Sequence, residues 1–280
     1  MKKFIIEEEF KNTLEDLAQL VQENLGGTYK ISVLDINNKE VDIMQLTRGK
    51  MMNNFTYKDV YVEDGKRVLE INILPEKYCN FDCIFCPIGR SKNKIDTQQS
   101  FDEVDSSLAE LEKIIEETKA ELIFINSKGE AFVNDKVSDI IDFIKSKNLS
   151  VRLLSNGYLL GREEYKEIAN RCDEVIGEIK VITEKDFQKV QRPIEGYTLD
   201  EYVSNMISFN KQYKGKFIFE ITIIKGYNDD NESIEKLKNI IKEISPDEVK
   251  VERMDGIFEK KLGILDERYE EILSELLNVE

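Results

Sequence analysis

Histidine is absent from this chain of 280 residues, and only four cysteines occur in it. Without imidazole, the thiols have to carry any soft-metal chemistry themselves. Long apolar runs are missing as well. None approaches ~18 residues, so no membrane-spanning helix is expected. The opening "MKKFIIEEEF" turns acidic after a short apolar patch. That is not a secretory signal, and a cytoplasmic protein is expected. Basic residues are in deficit: 40 Lys and Arg against 56 Asp and Glu leave a net charge of −16. Tight non-specific binding to nucleic acid rests on basic residues, so this balance cuts against it while leaving room for a local basic patch. The run "RSKNK" at 90–94 is too short to decide the point. Three cysteines lie close together and the fourth is distant, which argues against a disulfide framework.

What is present reads as a globular α/β chain. Apolar residues make up 41% and charged residues 34%, and the length suits one large domain with or without a small appendage. Strand-like runs stand at 68–74 ("VLEINIL"), 121–126, 150–154, 174–182, 216–224 and 248–254. Helix-period segments separate them. Ser100 with Glu103, and Thr198 with Glu201, have the spacing of capping boxes. A helix is expected from about Glu232, carrying Ile234, Leu237, Ile241 and Ile244 and ending before Pro246. One more helix, carrying Leu265, Tyr269, Ile272 and Leu276, is expected after Met254. Such alternation implies a parallel sheet, as either a doubly wound sheet or a partial barrel. The first 66 residues differ. They are expected to hold an amphipathic helix (Phe10, Leu14, Leu17, Val21), a Gly26-Gly27 break, a strand-like run, and a hairpin turning at Asp64-Gly65. The expectation is a small α+β accessory module over 1–66, followed by a core over 67–280.

The chemistry concentrates in "KYCNFDCIFCPIGR", which holds Cys79, Cys83 and Cys86. A structural zinc site wants four Cys or His ligands. The only other cysteine, Cys172, shares a helical face with Tyr165 and Ile168 and reads as a buried small hydrophobe. Iron–sulfur clusters normally take four thiolates. Three leave one iron open, which suits a cluster that must bind something else.

The C-x3-C-x2-C spacing after a first core strand, with Phe85 directly before the third cysteine, resembles the radical S-adenosylmethionine (SAM) superfamily. The resemblance implies a [4Fe-4S] cluster held by Cys79, Cys83 and Cys86, with the amino and carboxylate groups of SAM on the fourth iron. One electron from the reduced cluster then cleaves SAM to methionine and a 5′-deoxyadenosyl radical, which abstracts hydrogen from a substrate. Further motifs follow in order. "SKGE" at 127–130 resembles the family's Gly-Gly-Glu region, with Gly129 and Glu130 in the matching places and Lys128 and Ala131 as departures. There the carboxylate takes hydrogen bonds from the SAM amino group, and glycine permits close backbone approach. Ser155 and Asn156 of "SNG" fall at the cofactor rim. Glu178 and Lys180, two apart on the fourth strand, face one side and match polar contacts to the SAM ribose and carboxylate. Arg90 and Arg192 are candidate clamps for a substrate carboxylate or phosphate.

Over roughly 71–254 the chain is similar to iron–sulfur oxidoreductases related to the tRNA-wybutosine radical enzymes. It lacks the extra cysteines that those enzymes carry before the cluster loop, and Lys180 stands where they tend to place aspartate. The resemblance implies a partial (β/α)6 TIM-like barrel, with its site at the C-terminal ends of the strands, and an external electron donor of flavodoxin or ferredoxin type. A peptide, protein or small-metabolite substrate is favoured over a tRNA nucleoside. A non-catalytic iron–sulfur electron-transfer protein is the rival reading.

Overall fold

The computed structural model describes residues 32–34, 40–42, 55–91, 94–101 and 104–279. The expected helix around Phe10 to Val21, the Gly26-Gly27 break and the Glu103 half of the first capping box lie outside the described residues. The chain divides into two compact units, Met1–Asn54 and Phe55–Glu280. In the first unit, β1 (Ser32–Leu34) pairs antiparallel with β2 (Glu40–Asp42).

The second unit begins with β3 (Thr56–Tyr57) and β4 (Tyr61–Glu63), both antiparallel to β5 (Lys66–Asn72). Asp64 (φ 49°) and Gly65 (φ 76°) supply the two left-handed positions of the tight turn, as the Asp-Gly pair implies. Because this hairpin is hydrogen-bonded into the main sheet, the unit boundary falls at Asn54 rather than at 66.

Five more strands follow in sequence order: β6 (Leu122–Ile125), β7 (Ser150–Ser155), β8 (Glu174–Ile179), β9 (Lys216–Ile223) and β10 (Glu248–Arg253). From β5 to β10 each strand runs parallel to the next. The helices α1 (Val104–Thr118), α2 (Val137–Ser146), α3 (Glu163–Ala169), α4 (Leu199–Asn210) and α5 (Asn231–Ile244) fill the crossovers in turn.

The apolar stripes explain why these segments are helices. In α5, Ile234, Leu237, Ile241 and Ile244 are buried. Asp230 caps its start by accepting from Ser233 N, and Ser245, in left-handed conformation, ends it before Pro246. Thr198 caps α4 by accepting from Glu201 N. The reciprocal half of that box is absent, because the Glu201 carboxylate accepts from the Tyr158 hydroxyl instead. Two helices follow β10, not one: α6 (Gly256–Leu262) and α7 (Asp266–Leu277). α6 carries no fully buried residue, so no apolar period marks it.

The strands sort their side chains by parity. Ile71, Ile125, Leu153, Val175 and Phe217 lie level across β5 to β9 and are buried. The alternate positions hold polar residues, Glu70, Arg152, Glu174, Glu178 and Glu220, among apolar ones such as Phe124, Ile176 and Ile218. Arg152 is 4% exposed and pairs with Glu174 at 2.5 Å and with Glu63 on β4. Glu63 also pairs with Lys250 on β10 at 2.9 Å. In a flat sheet β4 and β10 would stand about 29 Å apart at ~4.8 Å per strand. Their contact requires the sheet to curl into a partial (β/α)6 barrel around this polar interior.

Candidate active site

The cysteine loop follows β5 at the C-terminal end of the barrel and is sewn down on both sides. Ile95 N donates to Cys79 O (3.0 Å) on one flank. On the other, Asp82 N donates to Gln191 O (3.0 Å), Ile84 N to Val190 O (2.9 Å) and Ile194 N to Asn80 O (3.1 Å). Val190 and Gln191 belong to a π-helical turn, Phe187–Gln191, which ends at Arg192 with φ 48°. The Phe81 ring anchors the loop from below, packing edge-on against Phe187 and Tyr202 with centroids at 5.5 Å.

All three cysteines are free. Cys79 is buried, and burial raises its thiol well above the ordinary range, with the Glu130 charge adding to the effect. Burial likewise pushes Cys83 up to about 12, against the pull of Lys180. As isolated groups these are neutral thiols; a bound metal supplies the positive charge that makes thiolates stable there. Among the described residues no three Cys, Asp or Glu side chains gather round one ion position. A cluster asks for something different, one thiolate per iron. Phe81 N–H already points at Cys79 Sγ, 3.4 Å away. The donor set therefore fits a cluster.

Behind the loop stands the carboxylate from the second parallel strand. Glu130 is fully buried. Its Oε2 accepts from Ser155 Oγ and from Asn156 N, both at 3.0 Å, and its Oε1 accepts from Phe132 N at 3.4 Å. Burial pushes its pKa up to about 7 despite these donors. Gly129, at φ 132°, serves a partner other than the one its sequence context suggests. A Cβ there would fall 1.9 Å from the carbonyl oxygen of Tyr78, and Glu130 N donates to that same oxygen at 2.8 Å. The close approach is to the cysteine loop, and it locks the loop onto the Glu130 turn.

Glu178 and Lys180 meet as the strand period implies, with Lys180 Nζ 2.7 Å from Glu178 Oε1. Burial opposes the lysine charge, and the adjacent Glu178, by its charge and its hydrogen bond, leads the groups that raise the Lys180 pKa. Tyr202, fully buried, places its hydroxyl between the carbonyls of Asn156 (2.5 Å) and Glu178. It ties the ends of β7 and β8 together.

Ser155, Asn156, Gly129 and Glu130 thus converge beside Cys79, and Glu178 and Lys180 form their own pair. Phe85 is 4% exposed within the apolar core. Arg90 is already engaged: its Nε lies 3.0 and 2.9 Å from the two Asp82 oxygens, and its Nη2 contacts Asp82 too. Burial raises the Asp82 carboxyl, and Arg90 with Ser91 N–H outweighs it. This fork braces the cysteine loop instead of standing open to a substrate. Arg192 donates from Nε to Lys189 O (3.3 Å), and no carboxylate pairs with it among the described residues.

Two site residues escaped the sequence reading. Asn80 is fully buried beside Cys79, and its Nδ2 has no hydrogen-bond partner. Glu220 stands level with Glu178 across β8 and β9. Burial, then the Glu178 charge, push its pKa up, with Lys180 pulling the other way. A signal for it existed: one charge inside the apolar run "FIFEITII".

Comparisons agree with this architecture. A family model described as the radical SAM superfamily matches residues 73–238, and the chain belongs to that superfamily of enzymes. A UPF0026 protein of Methanocaldococcus jannaschii, MJ1312, is 26% identical over 181 residues, covering 64% of this chain and 56% of its own. The chain spans between 30% and 62% of the length of the first curated relatives it matches. Among solved structures, TYW1 with a lysine-pyruvate adduct bound superposes with a TM-score of 0.60 at 13% identity. That match covers 98% of this chain and 90% of the other. A radical SAM methyltransferase from Sphaerobacter thermophilus gives 0.59 at 12% identity, covering 94% and 78%. These likenesses support the fold.

Proposed function

We propose that the chain cleaves SAM reductively and passes the resulting 5′-deoxyadenosyl radical to a peptide, protein or small-metabolite substrate. The carrying observation is the convergence of Glu130, Ser155 and Asn156 on the buried Cys79. In this reading Cys79, Cys83 and Cys86 hold a [4Fe-4S] cluster, which supplies the electron that breaks the S–C5′ bond. Glu130 takes the SAM ammonium, and Lys180 takes the carboxylate. Glu178 faces the ribose, and Phe85 backs the loop. The curled interior keeps bulk water from the radical. An external flavodoxin- or ferredoxin-type donor supplies the electron.

The net charge of −16 supports a substrate other than RNA. The segment ahead of Phe55 is read as an accessory module that selects that substrate. The test of the reaction is direct: anaerobically reconstituted protein, given dithionite and SAM, should release 5′-deoxyadenosine. A reduced cluster that leaves SAM intact would favour an electron-transfer protein. For the module, the cut belongs before Phe55, since cutting at Gly65 would strip β3 and β4 from the sheet. A 55–280 fragment that cleaves SAM but no longer turns over the substrate supports recognition. An insoluble fragment, or one without a cluster, assigns the segment to stability.

A further inference from the structure

The side chain of Asn156 has an orientation that its own neighbours dictate. Its Oδ1 accepts from Tyr158 N at 3.1 Å, so its NH2 group must face the other way. There it finds two acceptors for its two hydrogens: Asn80 Oδ1 at 2.6 Å and Cys79 Sγ at 3.8 Å. Turning the amide over would set its oxygen against both of them and leave Tyr158 N–H facing a donor. The backbone is pinned as well. Asn156 N donates to Glu130 Oε2 (3.0 Å), and its carbonyl lies 2.5 Å from the Tyr202 hydroxyl. The amide is therefore preorganised against the sulfur before any cofactor arrives.

Cys79 is the most buried of the three loop cysteines, with the other two only half-buried. It is also the one whose sulfur faces hydrogen-bond donors, Phe81 N at 3.4 Å and Asn156 Nδ2. Among the described residues no donor is placed on the sulfur of Cys83 or Cys86. In the thiol form the Cys79 S–H faces Asn80 Oδ1 at 3.7 Å. Loss of that proton leaves this oxygen to Asn156 alone, and the Asn156 N–H group keeps its aim at the sulfur.

We propose that Asn156 is a positioning residue that tunes the cluster's reduction potential, donating an N–H···S hydrogen bond to the Cys79 thiolate while Asn80 holds its amide in register. The proposal rests on the reading that Cys79 ligates the cluster. A donor on a ligating sulfur draws electron density away from it and stabilises the more negative, reduced state, so the potential rises. The sulfur to be served is the one where burial makes negative charge most costly. One residue thereby joins the cluster ligand, through its side chain, to the Glu130 turn, through its backbone N–H.

The experiment is an EPR-monitored redox titration of reconstituted wild type, Asn156→Ala and Asn156→Asp, with iron content measured on each sample. Asn156→Asp keeps the shape and the bond from Tyr158 N while removing the donor. The expected result is a more negative midpoint in both variants. The reduced-to-oxidised ratio at the wild-type midpoint should fall about tenfold, which is ~59 mV for a one-electron couple. A wild-type midpoint in either variant with its iron retained overturns the proposal. Should both variants lose the cluster, the wild type decides. Pulsed EPR of protein labelled with 15N in the asparagine side chain must then show hyperfine coupling to an amide nitrogen, and its absence overturns the proposal. Cys79→Ala tests the ligation reading separately, because full iron retention there refutes that reading whatever the potentials do.

Discussion

Glu130→Gln removes a charge from a fully buried site while nearly preserving its volume. The carboxylate holds Ser155 Oγ and Asn156 N at 3.0 Å each, yet burial outweighs them and sets its pKa at about 7 against 4.5 when unperturbed. The sign of the stability effect follows. Between pH 4.5 and about 7 the folded chain binds a proton that the unfolded chain has released, so this group's contribution to stability falls as pH rises through that window. At 1.36 kcal/mol per pKa step the full cost above pH 7 is roughly 3 kcal/mol. A SAM ammonium paired with the ionised form recovers part of it. SAM binding should therefore expel a proton near pH 6, and affinity should rise about eightfold between pH 6 and pH 7.5 as the ionised fraction grows. Charge-assisted hydrogen bonds of this kind are typically worth ~1.5–3 kcal/mol. At pH 7.5 the Gln variant should then bind SAM one to two decades more weakly, with no pH dependence from this site and with its iron retained. Isothermal titration of SAM into both proteins, in two buffers of different ionisation enthalpy, reads affinity and proton release together. An unchanged dissociation constant in Glu130→Gln, or the same pH slope in both proteins, would refute the reasoning.

Cys172→Ala should keep about four irons per chain, whereas Ala at Cys79, Cys83 or Cys86 should abolish the cluster; iron and sulfide analysis decides. Gly129→Ala sets a methyl 1.9 Å from Tyr78 O at φ 132°. It should cost about 1–3 kcal/mol from backbone strain alone and release the cysteine loop, seen as reduced iron uptake and as proteolysis within 77–90. Arg152→Ala strands Glu174 in the barrel interior and leaves Glu63 with Lys250 alone. Uncompensated buried charge of this kind costs about 3–5 kcal/mol, which thermal unfolding should register as a large drop in Tm; a wild-type Tm would show the network to be dispensable.

The strand–helix order, the spacing of the thiols and the facing of Glu178 and Lys180 were all legible in the sequence, because each depends on neighbours a few residues apart. Burial of one face imposes a period of two on a strand and 3.6 on a helix, and a cap writes its donor and acceptor three residues apart. Thr198 and Asp230 each do this. Helix α6 left no such trace, since it buries no residue fully.

Other features belong to the tertiary structure alone. The Asp82 carboxylate could be recognised as the partner of Arg90 only once the loop had folded back. Glu220 meets Glu178 through strand register, and Asn156 meets Cys79 through the curl of the sheet, 77 positions apart. Gly129 serves the carbonyl of Tyr78, on a loop that precedes it by a whole helix and strand. Sequence periodicity states which side chains leave the water. Which buried polar groups then face one another is set by register, barrel curvature and the docking of the loop, and these arise only when all six parallel strands are in place.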